Sequence, residues 1–183
     1  MSEELDIDML YREYHIDIYR FSLYFSNNKQ DAEDITQEVF IKAIRNRKQL
    51  KDDTRAKYWL LSIARHTAID HMRKKKLKLR LPDLIEKLTT HEKEQSIDDH
   101  ILLKEKWEEI QNALLHIKPH YRSLLILRGI QEMTIKETAE ILGCTELKVR
   151  VDFFRAVKVL KRELHSLEGV NDSETDRRSN ARG

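Results

Sequence analysis

Apolar residues recur every three or four positions along most of this chain, which is the spacing that places them on one face of an α-helix. The first stripe is formed by large side chains near the N-terminus, namely Tyr11, Tyr14, Ile18, Phe21 and Phe25. A second stripe follows in a helix that begins near Asp31 and ends before a loop at residues 46–55. A third helix is predicted from about Ala56 to Lys76.

Proline and charge divide these helices into two groups. Pro82 ends the third helix because its ring cannot continue a helical turn, and residues 87–100 are charged with few large apolar side chains. Helical periodicity returns at Trp107 and stops at Pro119. The sequence therefore predicts an all-α protein with two small helical domains at residues 5–80 and 101–167, joined by a flexible linker at 81–100 and followed by a disordered tail at 168–183.

The last part of the second domain has the pattern of a helix-turn-helix. A short helix at residues 121–128 is predicted to end at Gly129, and an amphipathic helical segment at residues 134–142 follows it. Gly143 suits the left-handed conformation that stops a helix. Thr145 can then cap the next helix by accepting one of its free N–H groups.

The second helix of this pair separates an apolar face from a basic one. Its apolar positions include Val149, Phe153 and Val157. The opposite face carries Lys148, Val151, Arg155 and Lys158. The major groove of DNA accepts such a basic helix, so DNA is the first partner that the pattern predicts.

Composition supports helices and restricts the chemistry. Gly and Pro contribute only 4 and 2 of the 183 residues, and 36% of the residues are charged, which leaves few turns for β structure. The single cysteine, Cys144, excludes an internal disulfide and a cysteine-rich zinc site. No apolar run approaches the roughly 20 residues that cross a bilayer. The acidic N-terminus lacks the apolar core of a signal peptide, so a soluble, cytoplasmic protein without membrane insertion is expected.

Charge is unevenly distributed although the net charge is only +2. Between Arg65 and Arg80 there are seven Lys or Arg and one acid, whereas residues 81–117 contain nine acids and four lysines. The second helix of the helix-turn-helix is basic again. This order predicts two contact surfaces separated by a segment of the opposite sign.

The second predicted helix carries acids on the side opposite its apolar stripe. Its outward face comprises Asp31, Asp34, Gln37 and Glu38, with Phe40 at the edge as an apolar anchor. Without an apolar pocket beside them, these carboxylates do not indicate acid–base catalysis. The residues alone leave two interpretations open, a solvated helix face and a protein-docking surface.

Aromatic and cationic side chains share the outward arc of the third helix, whose members are Tyr58, Arg65, His66, Ile69, Arg73 and Lys76. Bases stack on aromatic rings while cations follow phosphates, so this arc suits single-stranded nucleic acid. An ordinary exposed basic face is the alternative. Trp59, at the boundary with the core, is expected to belong to the core and not to be a stacking platform. His66 and Asp70 lie one turn apart without a third ligand, so no metal site is expected. Without a phosphate loop or a nucleophile motif, neither an enzyme nor a cofactor is expected.

Three motifs, in this order along the chain, resemble those of the extracytoplasmic-function family of bacterial sigma factors. Residues 31–40 (DAEDITQEVF) resemble the helix that docks on the clamp helices of the largest polymerase subunit. Residues 59–74 (WLLSIARHTAIDHMRK) resemble the helix that reads and melts the minus-ten promoter element. The terminal helix-turn-helix resembles the module that reads the minus-thirty-five element. The resemblance covers about residues 5–167.

The resemblance implies three sets of contact residues. Core polymerase would contact Asp31, Glu33, Asp34, Gln37, Glu38 and Phe40. The minus-ten element would contact Tyr58, Arg65, His66, Ile69, Arg73 and Lys76. Within the helix-turn-helix from Lys136 to Arg155, DNA would contact Thr145, Glu146, Lys148, Arg150, Val151, Asp152 and Arg155.

The resemblance also implies a function without bond chemistry. A sigma factor places core RNA polymerase at a promoter and stabilises the opened strands, here with flipped bases captured by the loop at residues 46–55. Its implied partners are core RNA polymerase, promoter DNA as duplex and as melted strand, and an anti-sigma factor. The alternative is a stand-alone helix-turn-helix regulator, although neither a dimer interface nor a sensor domain is evident in the sequence.

Several residues depart from the family pattern. His66 stands where Asn is frequent, and Lys148, Val151 and Asp152 stand where Thr, a small hydroxyl residue and Arg are common. An outward carboxylate at Asp152 would repel phosphate and could accept a hydrogen bond from cytosine. Lys148 is the residue expected to touch a base. Promoter preference therefore does not transfer from the family to this chain.

Overall fold

The computed structural model describes residues 7–79 and 101–179, with side chains over residues 7–78 and 107–166. All regular elements within these ranges are helices, which confirms the all-α prediction. The chain divides into two compact units, Met1–Ile101 and Leu102–Gly183, called here the first and the second unit. The linker predicted at residues 81–100 lies outside the described residues.

The described part of the first unit consists of three α-helices that pack pairwise. These are α1 (Ile7–Ser26), α2 (Lys29–Arg45) and α3 (Ala56–Leu79). The predicted loop between α2 and α3 contains two single 3₁₀ turns, Arg47–Gln49 and Asp53–Arg55. The core is formed by fully buried side chains that include Ile18, Phe21, Phe25, Ile35, Val39, Leu60 and Leu61.

A tight connection joins α1 to α2. Asn27 adopts a positive φ of 52°, which Asn tolerates better than most residues. The Asn28 side chain then accepts a hydrogen bond of 2.9 Å from the backbone N–H of Asp31 and caps α2. The helix begins at Lys29, two residues before its predicted start.

Over residues 101–179, the second unit contains four α-helices. They are α4 (Ile101–His116), α5 (Pro119–Leu124), α6 (Ile135–Leu142) and α7 (Glu146–Ser179), and α5 continues into a π-helical segment, Leu125–Ile130. Lys118 is extended before Pro119, as the sequence predicted. Two neighbouring clusters form the core. Leu114, Ile117, Leu125 and Ala156 make up one, and Leu124, Ala139 and Val149 the other.

Two helix ends differ from the prediction. Gly129 does not stop the helix, because the wider π turn lets the N–H of Gln131 reach the carbonyl of Ile126 at 2.8 Å. The left-handed residue is Glu132 instead, with a φ of 55°. Helix α7 continues to Ser179, where the sequence predicted a tail from residue 168. Since no proline follows Pro119, nothing after residue 167 forbids a helical turn.

Candidate functional site

The outward face of α2 is acidic at its N-terminal end. Glu33, Asp34 and Gln37 are exposed, and Glu38 is half-buried, with its carboxylate 3.6 Å from the Lys42 ammonium. Asp34, Gln37 and Glu38 therefore lie on the face where the sequence predicted them, and Glu33, which only the family resemblance implied, is exposed as well.

Asp31 and Phe40 require a correction, because both were predicted on or beside this outward face and both are buried. Asp31 is 8% exposed and Phe40 is 6% exposed. The Phe40 ring packs edge-on against Tyr11 of α1, with ring centroids 4.9 Å apart. The Phe40 side chain therefore supports the α1–α2 contact and is not an exposed anchor.

The Asp31 carboxylate faces α3 and binds side chains in the basic C-terminal part of that helix. It accepts hydrogen bonds from Nε2 of His71 at 3.0 Å and from Nζ of Lys75 at 2.5 Å. Burial raises the pKa of Asp31, but the hydrogen bonds from Lys75 and His71 outweigh it and leave this pKa below its ordinary value. Asp31 is thus an ionised link between α2 and α3.

Two exposed isoleucines, which were not predicted from the sequence, extend the outward face of α2. Ile41 is 42% exposed and Ile44 is 56% exposed. They follow Asp34 and Gln37 by seven residues each, which is two helical turns along the same side. The signal available in the sequence was an apolar pair displaced from the buried stripe of α2. We call Glu33, Asp34, Gln37, Ile41 and Ile44 the α2 face.

The outward arc of α3 has a graded exposure. Tyr58, Arg65 and Ile69 are half-buried, whereas His66, Arg73 and Lys76 are exposed. His66 is held in place, since its Nδ1 donates to the carbonyl of Ser62 at 2.7 Å and its Nε2 accepts from Arg65 at 3.3 Å. Trp59 is half-buried, at the edge of the core where it was predicted.

The loop before α3 has internal order. The Asp52 carboxylate accepts from the N–H of Thr54 at 3.0 Å and from its hydroxyl at 2.6 Å. These hydrogen bonds lower the pKa of Asp52, because they favour its ionised form. The loop leads directly into α3, so its exposed side chains lie beside Tyr58 in the sequence.

The helix-turn-helix has the turn chemistry that the sequence predicted. Gly143 is left-handed, with a φ of 64°, and ends α6. Thr145 accepts the N–H of Lys148 at 3.2 Å and caps α7. The start of α6 adds a reciprocal pair, in which the Thr134 hydroxyl accepts the N–H of Glu137 and the Glu137 carboxylate accepts the N–H of Thr134.

The first turns of α7 expose both cations and apolar side chains. Lys148, Arg150, Val151 and Arg155 are exposed, together with Leu147 and Phe154. Arg150 lies 3.9 Å from Glu146, and the Lys158 ammonium lies 4.5 Å from the centre of the Phe154 ring. This face can therefore offer charge to phosphates and apolar surface to base edges.

Asp152 also requires a correction, because it was predicted as an outward acceptor for cytosine. It is 5% exposed and is already hydrogen-bonded inside the second unit. Its Oδ2 accepts from Nζ of Lys148 at 2.6 Å and from Nε2 of His120 at 2.9 Å. The Lys148 bond lowers the pKa of Asp152 more than burial raises it. His120, which was not among the predicted site residues, adds α5 to this cluster.

Two known protein families match the two helical units of this chain. The Sigma-70 region 2 family matches residues 10–78, and the Sigma-70 region 4 family matches residues 107–160. The ECF RNA polymerase sigma factor SigX of Bacillus subtilis is 35% identical over 175 residues, which cover 93% of this chain and 90% of SigX. SigM of the same organism is 31% identical over 168 residues, which cover 92% of this chain and 99% of SigM.

A solved structure shares the fold. The sigma factor RpoE of Bartonella quintana, in complex with the anti-sigma factor NepR, superposes with a TM-score of 0.64 at 23% identity. The superposition covers 87% of this chain and 97% of RpoE. None of the helices that the structure describes is long and apolar enough to cross a membrane.

The two helical units, one with an acidic helix face and one with a helix-turn-helix, define a transcription initiation factor that directs promoter-specific initiation. The chain belongs to the extracytoplasmic-function family of RNA polymerase sigma factors. The alternative of a stand-alone regulator is excluded, because the region 2 match, at residues 10–78, covers nearly all of the helical bundle that the structure describes in the first unit.

Proposed function

We propose that the α2 face is the surface through which this sigma factor binds core RNA polymerase. The observation that carries the proposal is the exposure of Glu33, Asp34 and Gln37 next to Ile41 and Ile44 on one side of α2. Exposed isoleucines supply apolar area that a partner can bury, and the flanking carboxylates give orientation and faster association. Asp31 and Phe40 are buried on the other side of α2, where they fix the helix against α3 and α1.

The outward arc of α3 is the proposed contact for the melted minus-ten strand. Tyr58 offers a ring on which a base can stack, and the exposed cations Arg73 and Lys76 follow the phosphates. The ordered loop at residues 46–55 precedes Tyr58 and is the proposed pocket for a flipped base. The chain thus acts by binding, in the cytoplasm where polymerase and chromosome meet, and carries out no bond chemistry itself.

Helix α7 is the proposed reader of the minus-thirty-five element. Lys148 is the residue directed at a base edge, while Arg150 and Arg155 contact phosphates on either side. Because an anti-sigma factor binds the related RpoE, a partner of that class is proposed for this chain too. Such a partner would block the same surfaces that polymerase and DNA use.

Charge reversal on the α2 face tests the docking assignment. Asp34→Lys is expected to weaken binding to purified core polymerase by about tenfold or more, since a like-charge contact replaces an attractive one. Fluorescence anisotropy of the labelled protein, titrated with core enzyme that lacks any sigma factor, measures the dissociation constant.

The matched control is Glu13→Lys, which makes the same charge change at an exposed position of α1. We expect it to bind core enzyme as the native protein does. Equal weakening by both variants would mean a general charge effect, and unchanged binding by Asp34→Lys would remove the docking assignment.

A further inference from the structure

A buried carboxylate lies inside the helix that reads DNA. Asp152 is one turn after Lys148 on α7, and its Oδ2 is shared between Lys148 at 2.6 Å and His120 of α5 at 2.9 Å. Arg155 approaches the other carboxylate oxygen at 3.7 Å. By contrast, Glu146 on the same helix is half exposed and lies 3.9 Å from Arg150.

The short bond fixes a lysine that would otherwise be mobile. A free lysine side chain samples many rotamers and loses that freedom when it binds. Here Nζ of Lys148 is held by Asp152 while the side chain remains 55% exposed. An ammonium group has three N–H donors. One is used by Asp152, and the others stay available for a partner in solvent.

His120 makes the carboxylate a rigid support. It comes from the first turn of α5, so Asp152 joins the recognition helix to a second element of the unit. The contact of α5 with α7 continues in the buried pair Leu124 and Val149. The Lys148 ammonium is therefore placed relative to the body of the second unit and not only relative to its own helix.

We infer that Asp152 is a positioning residue that directs Lys148 at one guanine of the minus-thirty-five element and so sets base preference at that position. The inference rests on the proposed role of α7 as the reader of that element. Guanine presents two acceptors, O6 and N7, in the major groove, which two N–H donors of one ammonium group can reach. A lysine without this support would favour phosphates, which carry no sequence information.

Selection from a promoter library tests this inference. Holoenzyme assembled from core polymerase and the full chain selects templates whose minus-thirty-five segment is randomised, and the bound templates are sequenced. The native protein should enrich a motif with one G·C position preferred about tenfold. Lys148→Met should lose that preference at that position alone, and Asp152→Asn should lose it at the same position.

The double variant separates positioning from a structural role. If Asp152 acts through Lys148, then Lys148→Met combined with Asp152→Asn should select as Lys148→Met alone does. Asp152→Glu, which keeps a carboxylate one turn from Lys148, should retain the guanine preference. Glu108→Gln on α4 removes an exposed carboxylate of the same unit and should leave the motif unchanged.

Each result decides between distinct claims. If the native holoenzyme enriches no motif, the proposed reading role of α7 fails. If it enriches a motif that Asp152→Asn leaves intact while only the yield falls, the positioning role is overturned. Should Asp152→Asn unfold at the assay temperature, Asp152→Leu takes its place in the comparison, because leucine has the same number and branching of side-chain heavy atoms and adds no buried unpaired polar group.

Discussion

Replacing Asp31 with alanine is expected to lower the free energy of unfolding of the first unit by about 2 to 3 kcal/mol. The change removes the buried carboxylate that accepts hydrogen bonds from His71 and Lys75. The imidazole and the ammonium group then lose their hydrogen-bond acceptor. The loss stays below that of a fully buried ion pair, because the side chains of His71 and Lys75 are 28% and 36% exposed and can be rehydrated.

Urea unfolding followed by Trp59 fluorescence, in a Trp107→Phe background, measures the first unit alone, because the chain has two tryptophans and each unit contains one. The neighbouring Glu33→Ala variant is the control, since it removes an exposed carboxylate from the same turn of α2. Its effect should stay within about 0.5 kcal/mol. If both variants lowered the free energy of unfolding by a similar amount, the proposed contribution of the Asp31 contact with α3 would be contradicted.

The pH dependence provides a second signature of Asp31. Its folded-state pKa is depressed, so the stability it contributes is fully present above the ordinary aspartate pKa of about 3.9 and is lost as the pH falls through the folded value. The difference in stability between the native protein and Asp31→Ala should therefore be constant near neutral pH. It should shrink once the pH drops below about 4.

Replacing Arg122 with methionine is expected to destabilise the second unit by about 3 kcal/mol. Arg122 is almost completely buried, and its Nη2 donates to the carbonyls of Leu115 and Ile117 at 2.6 and 3.1 Å. Leu115 lies in the last turn of α4, which ends at His116, and Ile117 follows that end, so both carbonyls lie where the helix no longer supplies N–H partners. Burial lowers the pKa of Arg122 to about 10, and the guanidinium therefore remains charged at neutral pH.

Trp107 reports on the second unit when Trp59 is replaced by phenylalanine, and urea unfolding of that variant gives the free energy. Arg162→Met is the control, because Arg162 is exposed on α7. The same substitution there removes a charge from the solvent-exposed surface and not from the interior. The control should change stability by less than about 0.5 kcal/mol. Equal stability of Arg122→Met and the control would mean that the two carbonyls find other donors.

Local patterns in the sequence were sufficient for the helices and for the turn of the helix-turn-helix. Gly143 and Thr145 act through neighbours within five positions, so their roles follow from short-range rules. Periodicity likewise identified the stripe of α1 that supplies Ile18, Phe21 and Phe25 to the core.

Long-range contacts explain what the sequence could not predict. Asp31 meets His71 across 40 residues, and Asp152 meets His120 across 32. A helical wheel assigns a residue to a face but not the side chain that another helix brings to it, so two buried acids were predicted as outward ones. Phe40 was misplaced for the same reason, because the ring of Tyr11 covers it from α1.

Run-off transcription with purified core polymerase tests the central claim most directly. Core enzyme without any sigma factor is mixed with genomic DNA fragments, with and without this protein, and the 5′ ends of the transcripts are mapped. We predict defined start sites that appear only when the protein is present and that Asp34→Lys weakens. The account would be contradicted if the same start sites appeared without the protein, or if adding the protein produced no defined start site.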